Sequence, residues 1–256
     1  SAQTVTGKTP WNYEYKPIGI EGTNEAIIEL STLPPLNLES RLGYLIRYPH
    51  GCVEQITSSV FPQLYLDVLV ELSRKQKKEI QKNINAAIFR LGKFQNYEGG
   101  IAYWPGGKIS SQWGSNYVGH FLLEAKSFGY AVPETLLNKW LEYQTTAANN
   151  WTISTESTGL IQAYRLYVLA LAKKPAISAM NRMKEEDRIG REARWRLALA
   201  YTTAGFELEA KEMVKSLEKA TSTATENHYR NTFGSRLRDQ AMQLETLTAL
   251  SDNEKA

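Results

Sequence analysis

The segment Glu54-Gln-Ile-Thr-Ser-Ser-Val-Phe-Pro-Gln-Leu-Tyr-Leu-Asp-Val-Leu-Val-Glu-Leu-Ser73 places Ile56, Val60, Leu64, Val68 and Leu72 at every fourth position. That recurrence marks one stripe of an α-helix and is incompatible with the two-residue alternation of a half-buried strand. The spacing predicts a helix from about 54 to 73 with a kink at Pro62, where a backbone donor is missing. Upstream, Leu38, Leu42, Leu45 and Ile46 share one face of a short helix that Pro49 stops. Downstream, helical spacing predicts further segments at about 77–95, 113–129, 133–147, 157–173, 190–204, 206–220 and 235–251. Pro133 at a helix start and Gly205 between two helices fit that punctuation. No strand pattern of any length follows Leu38, so residues 38–256 are expected to form one all-α domain.

Residues 1–37 differ. Glu25-Ala-Ile-Ile-Glu-Leu30, between Gly22 and Pro34-Pro35, fits a short strand, and Trp11, Tyr13 and Tyr15 stand among prolines and glycines. This N-terminal segment is expected to be extended, the edge of a flanking β domain. The start Ser-Ala-Gln-Thr suggests a piece of a longer protein.

Composition narrows the classes. With 256 residues, 42% hydrophobic and 22% charged, the chain can bury a substantial core. No apolar run approaches the roughly 18 residues of a membrane span. A net charge of +3 without a dense Lys/Arg block gives no nucleic-acid footprint. The basic stretch Arg74-Lys-Gln-Lys-Lys78 is expected to be a solvated turn. One cysteine excludes an internal disulfide and any multi-cysteine metal site. None of His50, His120 and His228 has a second ligand at helical spacing, so neither a metal nor a cofactor is expected. His120, inside a predicted helix, is expected to be structural, and His228 exposed.

The single cysteine lies in Tyr48-Pro-His-Gly-Cys-Val-Glu-Gln55. Pro49 and Gly51 place a turn before Cys52, so the thiol stands at a helix N-terminus, where the positive end of the dipole favours a thiolate. Gln55, three residues on, is a neighbour across one helical turn. The sulfur can then attack the side-chain carbonyl carbon of Gln55, expel ammonia and close an internal thioester. A free cysteine is otherwise most often a buried, inert thiol. Glu54 is either a carboxylate favoured by the dipole or an exposed side chain. The glycine-rich stretch Gly99-Gly-Ile-Ala-Tyr-Trp-Pro-Gly-Gly107 lacks the spacing of a phosphate loop. Aromatic loops on a helical scaffold more often carry function.

The string Gly51-Cys-Val-Glu-Gln55 resembles the thioester signature of the alpha-2-macroglobulin and complement family. Leu33-Pro-Pro-Leu-Asn-Leu-Glu-Ser-Arg-Leu-Gly-Tyr-Leu-Ile-Arg47 resembles the lead-in of bacterial members. Gly100–Gly106, Trp113–Ala125 and Phe233–Ala241 are similar to their later sections, so the resemblance covers about residues 25–251. It implies an α/α toroid of helical hairpins, with Cys52 supplying sulfur, Gln55 the acyl carbon and Gly51 the tight turn. His50 is expected to pack over the motif or tune the thiol, and Tyr48, Tyr103, Trp104 and Trp113 are the candidates to shield the bond from water. Complement-like members add a histidine in the loop after the 133–147 helix. Here Thr145–Glu156 contains none, which implies selectivity for amines such as lysine. The resemblance further implies a single-use protease trap rather than an enzyme, in a periplasmic parent anchored to the inner membrane. Its partners would be attacking proteases and the parent's flanking domains. Two readings compete. One is a glycan-processing enzyme on an α/α toroid, using carboxylates such as Glu98 and Glu156; the other is a non-covalent docking module.

Overall fold

A computed structural model describes residues 12, 14, 16, 19, 20, 22, 42–154, 156–219, 232 and 234–252. The predicted strand at 25–30 and His228 lie outside these. The chain divides into two compact units, Ser1–Tyr44 and Leu45–Ala256. The first is described at only a few residues, with a bend at Gly19 and Ile20.

The second unit is all-α among the described residues. Its helices are α1 (Val53–Val60), α2 (Arg74–Gly92), α3 (Gln112–Ser127), α4 (Glu134–Asn149), α5 (Glu156–Leu171), α6 (Ile177–Lys184), α7 (Arg191–Thr203), α8 (Glu207–Lys219) and α9 (Arg236–Asp252). The odd-numbered helices form one row in which each packs on the next: α1 on α3, α3 on α5, α5 on α7 and α7 on α9. The even-numbered helices lie against these pairs as a second row. Burial separates the rows. Every residue from Leu160 to Ala170 of α5 is buried, whereas α2 hides only the stripe of Ile80, Asn83, Ile84, Ala87, Ile88 and Leu91. A helix covered on all sides belongs inside, and one with a single apolar stripe belongs on the surface.

Polar side chains also run through the inner row. Asn116 Nδ2 donates to the Ile161 carbonyl, Gln144 Nε2 to Asn116 Oδ1, and Arg165 Nε to Gln144 Oε1. Arg165 has no carboxylate among these partners, and burial lowers its pKa to about 10.

Two predicted elements are corrected, and a third is shortened. The helix expected over 54–73 breaks instead of kinking. It becomes α1, a 3-10 turn Pro62–Tyr65 and a single turn Leu66–Leu69, after which Val70 is extended. Pro62 removes one hydrogen bond and its ring crowds the preceding turn; the tighter 3-10 winding then turns Val68 out to solvent. The basic stretch Arg74–Lys78 is not a turn but the first turn and a half of α2. Ser73 caps that helix, with Gln76 N–H donating to Ser73 Oγ and Ser73 N–H to Gln76 Oε1. Of the helix expected over Leu38–Ile46, residues 38–41 lie outside the described ones, Leu42 is helical, and the chain then tightens into a 3-10 turn at Gly43–Leu45 that ends before Ile46. Helix α6 has no counterpart among the predicted segments, because eight residues, half of them apolar, are too few to establish a period.

Candidate functional site

Cys52 is the N-cap residue of α1, with extended backbone dihedrals. The segment entering the cap is tied down from below. Gln63 Nε2 donates to the Arg47 carbonyl at 2.9 Å and to the Ser59 carbonyl at 2.8 Å, while buried Asn83 donates to Gln63 Oε1. The chain then reverses at Gly51, whose φ of 103° is a conformation that side-chain-bearing residues rarely adopt.

Cys52 N–H donates to Gln55 Oε1 at 3.2 Å. Cys52 and Gln55 thus take up the reciprocal arrangement of a capping box, the cap side chain facing the backbone of the third helical residue. Gly51 makes room for it. A Cβ built there would lie 2.0 Å from Gln55 Oε1 and 3.0 Å from Gln55 Cδ. The Gln55 amide oxygen therefore sits in the space a side chain would fill, held by a main-chain N–H at the positive end of a helix.

The sulfur is covered by the loop between α2 and α3. Cys52 is 4% exposed, and its Sγ lies 3.4 Å from the Tyr103 hydroxyl. Tyr103 grips the same cap through its backbone, accepting the Val53 N–H at 3.2 Å. Proximity of the Cys52 sulfur, hydrogen-bonded to the phenol, raises the Tyr103 pKa above its ordinary value, and burial adds to the rise.

The loop is shaped by its own hydrogen bonds. Ala102 N–H donates to the Phe94 carbonyl, Asn96 N–H to the Gly100 carbonyl and Ser111 N–H to the Ile101 carbonyl. Isolated antiparallel bridges pair Gln95 with Ile101 and Ala102 with Ser110. Gly99 has φ 91° and lies so close to α4 that a Cβ would meet the Lys139 carbonyl oxygen at 2.1 Å. Gly99 and Gly100 thus let the loop press against α4 while it presents Tyr103 to Cys52.

The other sequence-predicted residues are placed as follows. Trp104 stands edge-on to the Tyr103 ring with centroids 5.8 Å apart, and is more than half exposed. Tyr48 is nearly half exposed, and its carbonyl lies 3.1 Å from Nδ1 of the exposed His50. Trp113 is buried, but its ring packs on Tyr164 at 5.1 Å and under the Arg238 guanidinium at 5.2 Å. Glu54 accepts a hydrogen bond from Ser58 Oγ at 2.9 Å. Gln55 is exposed, so the sulfur side of the pair is covered and the amide side is open.

His120 lies among Phe61, Tyr164 and Tyr167, with Nδ1 2.9 Å from the Tyr164 hydroxyl. Burial, with Arg196 nearby, lowers its pKa to about 3, so it is neutral. Arg238 pairs with Asp239 at 2.7 Å. Among the described residues no group of three or more His, Cys, Asp or Glu could hold a metal ion. Nor is any helix among them long and apolar enough to cross a membrane. Sequence reasoning missed the Gln63–Asn83 clamp and the double grip of Tyr103. The clamp has no local signal; the second was foreshadowed only by the glycine-rich aromatic loop.

The chain is similar to known proteins in sequence and in fold. The model of the A-macroglobulin TED domain matches residues 28–150. The alpha-2-macroglobulin of Escherichia coli strain K12 is 28% identical over 250 residues, covering 91% of this chain and 15% of the relative. The crystal structure of native E. coli alpha-2-macroglobulin from domain MG7 to the C-terminus superposes with a TM-score of 0.69. The match has 26% identity and covers 84% of this chain and 36% of that one. Salmonella alpha-2-macroglobulin reacted with methylamine also gives a TM-score of 0.69, at 25% identity over 86% of this chain and 16% of that one. The matched domain model and the superposed helical bodies define the class as a thioester domain. The chain belongs to the bacterial alpha-2-macroglobulin family. It spans only a small part of the full-length relatives it matches.

Proposed function

We propose that Cys52 and Gln55 close an internal thioester that captures amines, and that the chain is the thioester domain of a protease trap. The observation that carries this is the Cys52 N–H bond to Gln55 Oε1, in space kept free by Gly51. A donor on the acyl oxygen polarises the carbonyl toward attack and steadies the oxyanion of the tetrahedral intermediate. The sulfur attacks Gln55 Cδ, ammonia leaves, and the resulting acyl group lacks the resonance that protects an amide. Attack by a lysine amine then transfers the acyl group from sulfur to nitrogen and frees the thiol. Each molecule reacts once, so the domain is an acylating trap and not a turnover catalyst.

Amine selectivity follows from the loop after α4, since no histidine stands anywhere in 145–156 to intercept the acyl group. The Salmonella relative reacted with methylamine makes amines the natural class to test. Tyr103, with Trp104 against it, is assigned to exclude water from the sulfur, and Tyr48 and His50 line the approach. Gln55 is open in this chain, so the parent's other domains are assigned to cover it until a protease cleaves the parent. The two rows of helices support the α/α toroid; residues 38–256 are assigned to the thioester domain and 1–37 to the edge of a flanking β domain. A periplasmic parent held at the inner membrane is the cellular setting this reading implies.

Intact mass with and without methylamine, alongside thiol titration, tests the proposal. The expected result is a mass one ammonia below the sequence value, with Cys52 unreactive until methylamine is added. A full sequence mass with a free thiol from the outset would overturn it.

A further inference from the structure

Acyl transfer from sulfur leaves a thiolate behind, and a buried thiolate needs a donor. On the thioester reading, which this step presupposes, we propose that Tyr103 is a catalytic residue whose hydroxyl donates a hydrogen bond to Cys52 Sγ as the carbon–sulfur bond breaks. The hydroxyl lies 3.4 Å from the sulfur of Cys52, a residue only 4% exposed, so water has little access to do the same work. Two contacts fix the residue at the cap. Its side chain reaches the sulfur, and its carbonyl accepts the Val53 N–H. Movement of the loop would therefore have to break the helix cap as well.

The step balances without any other group. The amine nitrogen attacks Gln55 Cδ, and negative charge gathers on Oε1 beside the Cys52 N–H. Collapse of that intermediate expels the Cδ–Sγ electron pair onto sulfur, and the proton lost by the amine passes to solvent. Tyr103 keeps its own proton. An ordinary phenol has a pKa of about 10 against about 8.5 for a thiol, and here the phenol is raised further. Proton transfer to the thiolate is thus uphill, and the hydroxyl acts as a hydrogen-bond donor rather than a general acid. The contact reverses polarity when the sulfur is a neutral thiol, whose S–H then donates to the phenol oxygen. Tyr103 accordingly serves two functions: its ring covers the bond and its hydroxyl eases the bond's departure.

Tyr103→Phe separates them, because it keeps the ring against Trp104 and removes only the hydroxyl. The experiment measures thiol release by methylamine in the full chain, after intact mass has established that wild type and variant both carry the thioester. Release slowed about tenfold or more in the variant is expected for a lost bond to a charged acceptor. Release that is unchanged or faster would show that the residue only shields, and would overturn the catalytic role. A wild-type mass at the full sequence value would instead overturn the thioester reading, and the catalytic role with it. The contact itself is tested on the freed thiol by nuclear magnetic resonance with isotope-labelled tyrosine, Tyr103 being assigned from the Phe variant. Its phenol is expected to titrate at higher pH in the wild type than in Cys52→Ala; equal midpoints would overturn the contact.

Discussion

Gly51→Ala isolates the geometry of the cap from the chemistry of its side chains. Its backbone φ of 103° is costly for any residue with a Cβ, on the order of 1–3 kcal/mol. The new methyl carbon would stand 2.0 Å from Gln55 Oε1, where ordinary contact requires roughly 3.4 Å or more. The carboxamide must therefore retreat by more than about 1 Å, losing the Cys52 N–H bond and its alignment with the sulfur. A misplacement of that size costs reacting groups about a hundredfold in rate. Strain of about 2 kcal/mol leaves most of a typical stability of about 5–15 kcal/mol in place. In a unit of this size it lowers Tm by roughly 4–8 °C. The variant should thus fold with native far-ultraviolet circular dichroism, show a modestly lower Tm, carry the full sequence mass and expose a titratable thiol at once. Gly129→Ala is the control, because Gly129 also has a positive φ (85°) but meets nothing within 4 Å. It should lose comparable stability and still form the bond. A Gly51→Ala protein that loses ammonia as completely as wild type would refute the assignment of Gly51 as the space for the acyl group.

Two further outcomes follow from the core. Gly119→Ala would drive a Cβ to 2.0 Å from Trp140 Cζ2, on a ring that is 1% exposed and donates Nε1–H to the Ser115 carbonyl; overpacking of this kind costs about 1–3 kcal/mol, read as a lower midpoint in urea unfolding. His120 is held neutral by burial, with a folded pKa of about 3, whereas an unfolded histidine titrates near about 6.5. Between those values the unfolded chain binds the extra proton. The stability contributed is therefore whole above about pH 6.5 and is lost progressively as pH falls toward about 3, by up to roughly 5 kcal/mol. His120→Leu should flatten the dependence of the urea midpoint on pH across that window, and an unchanged slope would contradict the assignment.

How much of this was legible in the sequence depended on how local the cause was. Cys52, Gln55 and Gly51 lie within five residues, so cap geometry follows from turn and helix rules alone, and their arrangement was anticipated. The all-α body was also readable, because α3, α4, α5, α7, α8 and α9 carry their own periodicity and begin and end within two residues of the predicted segments. Failures came where a local pattern met a competing force. The four-residue recurrence through Val68 and Leu72 was real, yet Pro62 broke the helix before it could place them on the buried face. The charge of Arg74–Lys78 alone points to a solvated turn, but the Ser73–Gln76 box and the apolar stripe from Ile80 outweigh the unfavourable dipole. Tyr103 lies 51 positions from Cys52, and no rule of spacing predicts a contact across that interval.

The chain also contains an oxygen counterpart of its own site. Ser73 and Gln76 form a capping box in which Ser73 N–H donates to Gln76 Oε1 at 2.9 Å and Ser73 Oγ–H reaches the same oxygen at 2.7 Å. A nucleophilic atom and a glutamine amide are therefore juxtaposed at two helix starts, and capping geometry alone is not what distinguishes Cys52. Three features set the first site apart: a thiol in place of a hydroxyl, a glycine at positive φ beneath the amide oxygen, and a covered sulfur facing the Tyr103 hydroxyl. Ser73→Cys supplies the first without the others, since Leu72 precedes it and the Ser73 box is exposed. The variant should lose no second ammonia, and should show one freely alkylated thiol at position 73 while Cys52 remains protected. Loss of two ammonias would mean that a cysteine in a capping box is sufficient, and the role given to Gly51 in forming the bond would have to be withdrawn.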